Sequence, residues 1–178
     1  MKRLAGGLAL SGAVILGLPH VVADTGDSAV LPHPIPTCRP AQLKLSSVSK
    51  DAETGDVREL FRWRNRSTQA CVLVGYPQVH LLDVRHRVQP TFVSHNDGRL
   101  TPPVAVPPRA VRLGRGGSAF FSLEWGDTPT PGLSCPVSRY VLLTPPGASS
   151  PQPIDGWAEW NIVCGGGLVV SPVEPQAF

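Results

Sequence analysis

The sequence lacks the features that most often mark a catalytic, metal-binding or membrane-spanning protein. Methionine occurs only at position 1, and no two cysteines form a C-x-x-C pair. These absences exclude a blue-copper site and weigh against zinc ribbons and thiol redox chemistry. There is no G-x-S-x-G nucleophile elbow, and no later segment is apolar over the roughly 20 residues of a spanning helix. We therefore predict no catalytic residue, no metal site and no cofactor.

The first 23 residues have the pattern of a signal peptide. Lys2 and Arg3 form a positive start, Leu4 to Leu18 is apolar, and short side chains lead up to Ala23. The apolar run is too short for a membrane anchor, so we expect cleavage after Ala23 and secretion into the envelope or beyond. Removal of Lys2 and Arg3 leaves 14 of the 16 basic residues against 13 acidic ones, a net charge of +1. That balance does not favour nucleic-acid binding.

The mature chain contains four cysteines, Cys38, Cys71, Cys135 and Cys164. An even number in an exported chain predicts two disulfides, and four cysteines allow three pairings. Spacing alone does not choose among them. If the strands between Cys38 and Cys71 pair antiparallel, these two cysteines meet, and the same geometry joins Cys135 to Cys164. The strand pattern therefore favours the sequential pairing.

After a proline-rich leader over residues 24–37, the chain reads as short strands over residues 38–173 and a tail over 174–178. The 20 prolines and 18 glycines disfavour long helices. Phe61 and Trp63 alternate with arginines, which is typical of a half-buried strand. Such spacing predicts an all-β sandwich or barrel. The predicted strands are Gln42–Val48, Glu59–Arg66, one starting at Cys71, a hairpin of Gln78–Asp83 with Arg87–Phe92, Ala110–Leu113, Ser118–Trp125, Arg139–Thr144, Trp157–Cys164 and Leu168–Ser171.

Four motifs stand out along the chain: Cys71-Val-Leu-Val-Gly75-Tyr76-Pro77 with Leu81-Leu82-Asp83, Ala119-x-Phe121-x-Leu123-x-Trp125, Pro145-Pro146-Gly147, and Cys164-Gly165-Gly166 with Ser171-Pro172-Val173. Together they resemble domain-of-unknown-function family 4232, found in exported proteins and lipoproteins, chiefly of actinobacteria. The resemblance runs from about Cys38 to Val173 and implies an immunoglobulin-like antiparallel β-sandwich with two disulfides and no established activity. The family commonly has a glycine after Asp83, where this chain has Val84-Arg85-His86.

Arginines form the most prominent candidate binding surface. Arg62, Arg64 and Arg66 share one side of a predicted strand, and Arg85 and Arg87 lie in the following hairpin. Guanidinium groups pair well with carboxylate and phosphate. We therefore predict that these five arginines bind an anion such as a cell-wall polymer, an anionic glycan or lipid headgroups. The simpler interpretation is a solvent-exposed face.

Three other groups of residues are candidates for a functional site. His80, His86, His95 and Asp97 would form a small metal site if they converged, although scattered surface histidines are the simpler interpretation. Trp157 and Trp160 have opposite parity, so one of them is expected to face outward, where it would stack on a sugar or peptide. Carboxylates that could pair as a glycosidase acid and base are Glu124, Asp127, Asp155 and Glu159.

The sequence thus favours an exported, non-enzymatic binding or interaction domain. Its expected partner is an anionic envelope polymer or a protein. The alternative is an envelope hydrolase or metal-dependent enzyme that uses the His80, His86, His95 and Asp97 region, with the loop over residues 94–108 as a wall. A convergent cluster in a cleft would favour the enzyme, and an open arginine surface would favour the binding domain.

Overall fold

The computed structural model describes residues 34–95, 98, 107–154 and 161–178. The predicted signal peptide and most of the leader lie outside the described residues, as do Asp97, Asp155, Glu159, Trp157 and Trp160. Within the described part of the chain, no helix is long and apolar enough to cross a membrane.

The described strands form one large sheet and several small ones. The large sheet has the order β1-β2-β7-β12-β5, a second sheet has the order β10-β9-β4, and β3–β6 and β8–β11 are two-stranded. The strands are β1 (Leu43–Glu53), β2 (Asp56–Asn65), β3 (Cys71–Leu73), β4 (Gln78–Leu82), β5 (Phe92–Ser94), β6 (Val111–Leu113), β7 (Ser118–Gly126), β8 (Val137–Ser138), β9 (Tyr140–Thr144), β10 (Gln152–Pro153), β11 (Asn161–Ile162) and β12 (Gly167–Val170).

This architecture confirms an all-β fold with antiparallel sheets and two disulfides. One strand pair differs from the expected antiparallel pattern, because β5 runs parallel to β12. Parallel neighbours need a crossover rather than a tight turn, and the chain between β5 and β12 includes β6 to β11. The immunoglobulin-like arrangement stays a prediction.

The core is centred on β2 and β7, where Phe61 lies opposite Phe121 and Trp63 opposite Ala119. All four side chains are fully buried, as the alternating sequence pattern predicts. The Trp63 and Phe121 rings stack with centroids 4.3 Å apart, and Phe61 stacks on the other side at 5.3 Å. Buried residues of β3, β4, β6, β9 and β12 complete the same core. The inward face of β2 is thereby fixed, and with it the outward face that presents the arginines.

Both disulfides have the sequential pairing, Cys38–Cys71 and Cys135–Cys164. The first joins the entry of β1 to the start of β3. The backbone pairing there begins before Cys38, since the Val72 amide donates to the Pro36 carbonyl at 2.9 Å. The ordered domain therefore includes the last residues of the predicted leader.

The domain also continues beyond its predicted carboxyl-terminal boundary. Phe120 and Glu174 exchange two backbone hydrogen bonds of 2.8 Å. The first residue of the predicted tail is thereby paired with β7.

The predicted strand Arg87–Phe92 is wrong. The carboxylate of Asp83 accepts hydrogen bonds from the amides of Arg85 and Arg87 at 2.8 and 2.9 Å, which closes a tight turn directly after β4. His86 takes the left-handed conformation in this turn, at φ 58°, a conformation that glycine adopts more readily than other residues. Beyond the turn only Val88 bridges back to β4, and the chain leaves to form β5 in the large sheet.

Candidate functional site

The five predicted arginines lie on two different sheets. Arg62 and Arg64 are on the outward side of β2, and Arg66 follows its last residue. Arg85 and Arg87 occupy the turn after β4, in the three-stranded sheet. The single stripe expected from the sequence is therefore divided, because β4 does not join the sheet that contains β2.

Arg87 has a structural partner. Its Nε and Nη2 atoms lie 2.8 and 2.7 Å from Oδ2 of Asp83. The pKa of Asp83 is lowered from its ordinary value, above all by the hydrogen bond from the Arg87 amide. Desolvation opposes this shift, and the Arg87 side chain and the Arg85 amide lower the pKa further. Arg87 thus stabilises the turn after β4, which lies where the predicted hairpin has its turn.

Arg64 and Arg66 line a shallow hollow of about 470 Å³ that two further cations share, Lys44 and Arg115. We call it the basic hollow; Asn65 and Gly116 complete its lining. Lys44 and Arg64 are direct cross-strand partners in β1 and β2, and Arg115 belongs to the turn between β6 and β7. Like charges directly opposite each other on a sheet are destabilising. Their juxtaposition here concentrates positive charge at one end of the large sheet.

Among the residues that the structure describes, no Asp or Glu lines the basic hollow. The ion pairs Arg58–Asp51 and Arg87–Asp83 lie outside its lining. Arg64 Nε donates to the carbonyl of Gly116 at 3.2 Å, which holds this guanidinium beside the turn. All four cations are exposed. An incoming anion would therefore meet charge that the described part of the protein leaves uncompensated.

Asn65 lines the basic hollow and connects the backbone segments around it. Its side chain is fully buried, and Nδ2 donates to the carbonyls of Gln69 and Leu113 at 2.8 and 3.0 Å. Its Oδ1 accepts hydrogen bonds from the amide and the hydroxyl of Ser67, both at 2.9 Å. Because the buried amide of Asn65 makes all of these hydrogen bonds, it fixes the positions of the loop that carries Arg66 and of the end of β6.

Sequence analysis missed Lys44, Arg115 and Asn65. The glycines of Gly114-Arg115-Gly116-Gly117 indicate a turn in the sequence. The sequence does not show which strand residue lies beside that turn, because this depends on the register between β2 and β7, in which Arg64 lies opposite Ser118.

The histidines occupy separate environments. His80 is exposed on β4, and His86 stacks on Tyr140 with ring centroids 4.3 Å apart. His95 stacks on Tyr76 at 3.8 Å, and its Nδ1 lies 3.1 Å from the carbonyl of Val170. Among the described residues, no three His, Cys, Asp or Glu side chains are placed to hold a metal ion.

Two of the four glycosidase candidates lie in the described part of the chain. Glu124 is buried on β7 and lies opposite Arg58 of β2, where it lines a hollow of about 300 Å³ with Asp56. Asp127 follows the end of β7 and does not line that hollow.

Glu59 is a buried carboxylate that the sequence did not single out. It lies on the inward side of β2, is 3% exposed, and its Oε2 has no hydrogen-bond partner. Burial raises the pKa of Glu59, whereas a hydrogen bond with Ser47 and the charge of Lys50 oppose that shift. Lys50 lies directly across from Glu59 in β1 and over the ring of Trp125 at 5.3 Å.

We predict that Glu59→Gln stabilises the protein at neutral pH. Because the folded state raises the pKa above the ordinary 4.5, this group favours folding most below pH 4.5 and loses that contribution as the pH rises through the folded pKa. Urea unfolding from pH 4 to 8 should show a gain over wild type that grows toward neutral pH. Glu53→Gln, at an exposed position of β1, is the control. A gain that does not change with pH would contradict the prediction.

The sheets, the two disulfides and the basic hollow define a small disulfide-linked all-β domain with an uncompensated cationic surface. The chain belongs to the family described as Domain of unknown function (DUF4232), which matches residues 38–174. The range agrees with the resemblance seen in the sequence. A search of curated proteins finds no match. Since neither the family nor the fold assigns an activity, function has to be argued from the site.

Proposed function

We propose that the protein is an exported, non-enzymatic binding module that holds an anionic component of the cell envelope in the basic hollow. The observation that carries this proposal is the convergence of Lys44, Arg64, Arg66 and Arg115 without a neutralising carboxylate in the lining. The two disulfides are consistent with an oxidising compartment outside the cytoplasm.

The chemistry of the basic hollow suits anions. Three of its four cations are arginines, whose planar guanidinium groups donate paired hydrogen bonds to phosphate or carboxylate oxygens. Exposed cations of one sign also raise the local concentration of anions and accelerate their association. The open shape provides no enclosed cleft for a reaction, which supports binding over catalysis.

The test is isothermal titration of the oxidised protein with tripolyphosphate at low ionic strength. We expect Arg64→Ala/Arg115→Ala to weaken binding about tenfold, because two ion pairs are lost and each exposed pair contributes up to about 1 kcal/mol. Affinity should also fall as salt is added, since these groups are exposed. The matched control is Arg85→Ala/Arg112→Ala, which removes the same charge from exposed positions outside the basic hollow. Equal losses in both variants, or no binding, would refute the proposal.

The alternative function is an envelope hydrolase or metal-dependent enzyme that uses the His80, His86, His95 and Asp97 region. A rise in melting temperature with Zn²⁺, abolished in His80→Ala/His86→Ala, would support the alternative, because a ligand that binds only the folded state stabilises it.

A further inference from the structure

A second hollow of about 450 Å³ adjoins the basic hollow. Arg39 and Arg66 are its charged lining residues, with Ala41, Gln42, Ser67 and Gln69. We call it the Arg39 hollow. Arg66 lines both hollows, so the two hollows adjoin at this residue.

Hydrogen bonds tie the elements of the Arg39 hollow together through Gln42. Its Oε1 accepts from the Arg39 amide at 2.8 Å, and its Nε2 donates to Oγ of Ser67 at 3.2 Å. Its carbonyl accepts from the Arg66 amide at 2.7 Å. Arg39 and Arg66 thus stand on neighbouring segments whose backbones are fixed relative to each other.

The cations stand on neighbouring backbone segments that run through both hollows. Lys44 and Arg64 are cross-strand partners, so their backbones are about 4.8 Å apart. Arg66 follows Arg64 by two residues, about 6.6 Å along the chain, and lines the second hollow together with Arg39. A ligand that fills both hollows has to extend past Arg66, which suits a chain with repeating charges.

The linings also indicate how such a ligand is recognised. Within the described ranges of the chain, no aromatic side chain and no carboxylate lines either hollow. Aromatic rings are the usual platforms for nucleobases and for sugar faces. Recognition must therefore depend on the charged groups of the ligand and their spacing, not on stacking.

We infer that the two hollows form one continuous track that binds a linear polymer of repeating anionic groups, with Arg66 between two occupied hollows. This inference rests on the proposed function and specifies its ligand class. Once one hollow holds part of the polymer, the next anionic group enters the second hollow at a high effective concentration. Affinity then rises with chain length although each contact is weak.

The experiment compares tripolyphosphate with long-chain polyphosphate on wild type, Arg39→Ala and the control Arg112→Ala. We expect wild type to bind the long chain at least tenfold more tightly per phosphate. Arg39→Ala should lose most of that gain while binding tripolyphosphate within twofold of wild type, and Arg112→Ala should match wild type. A parallel series of galacturonate trimers and polygalacturonate identifies whether phosphate or carboxylate repeats are preferred.

The outcomes separate the inference from the proposed function. If no anion binds in any series, both fail. If short anions bind and depend on Arg64 but long chains show no gain per charged group, the track is refuted and the basic hollow stands as a site for a small anion. Equal loss of short and long ligands in Arg39→Ala would also refute the track.

Discussion

Replacing Trp63 by alanine is expected to lower the free energy of unfolding by about 3–5 kcal/mol, as is usual for removal of a large buried aromatic side chain. Trp63 is fully buried and stacks on Phe121. Its Nε1 donates to Oε1 of Gln152 at 2.9 Å, and Nε2 of Gln152 donates in turn to the carbonyls of Pro40 and Leu43. The substitution therefore opens a cavity and also leaves the amide oxygen of the half-buried Gln152 without its donor.

Denaturant unfolding, followed by circular dichroism, measures this loss. Trp63→Phe is the informative control, because it keeps a ring against Phe121 and removes only the indole N–H and part of the volume. We expect its loss to be intermediate. A loss below about 1.5 kcal/mol for Trp63→Ala would mean that the β2–β7 core is not the main source of stability.

Removing the first disulfide, in Cys38→Ala/Cys71→Ala, is expected to destabilise the protein by about 3–4 kcal/mol. The two cysteines are 33 residues apart, and the chain-entropy estimate for loops of 15 to 100 residues is about 3–4.7 kcal/mol. Both are also buried in the core, at 2% and 0% exposure, so packing is lost together with the cross-link.

The second disulfide provides a matched comparison. Cys135 and Cys164 are separated by 29 residues, which gives nearly the same loop entropy, but both are only half-buried. Cys135→Ala/Cys164→Ala should therefore lose less stability than the first pair. Thermal and denaturant unfolding of both variants measure the difference. Equal losses would show that loop closure alone, and not burial, determines the contribution of each cross-link.

The parts of the fold that were predictable depend on local pattern. Strict alternation places Phe61 and Trp63 on one side of β2, because successive side chains in a strand point to opposite faces. The disulfide pairing also followed from local order, since a cysteine before one strand and a cysteine after its antiparallel neighbour must be close. Neither argument requires knowledge of which distant strands pair.

The site was less predictable because it depends on distant pairing. Arg64 meets Arg115 only through the register of β2 with β7 and the turn before β7. The predicted hairpin turn forms after Asp83, but its second strand pairs with β4 only around Val88 before the chain leaves to form β5. Hydrophobic alternation does not reveal where that pairing ends. The arginines are divided between two sheets because β4 pairs with β9 and not with the sheet that contains β2.

The buried amide of Asn65 has a practical consequence for producing the protein. Asn65-Arg66-Ser67 spells an acceptor sequon for N-linked glycosylation. In the folded state both hydrogens of Nδ2 are used and the side chain is inaccessible, so an oligosaccharide can be attached only before folding. Such a sugar would replace an Nδ2 hydrogen that bonds to the carbonyl of Gln69 or Leu113, and it would prevent the Asn65 side chain from taking its buried position. A eukaryotic secretory host would therefore yield chains that cannot fold, whereas a bacterial periplasm provides oxidation without that modification.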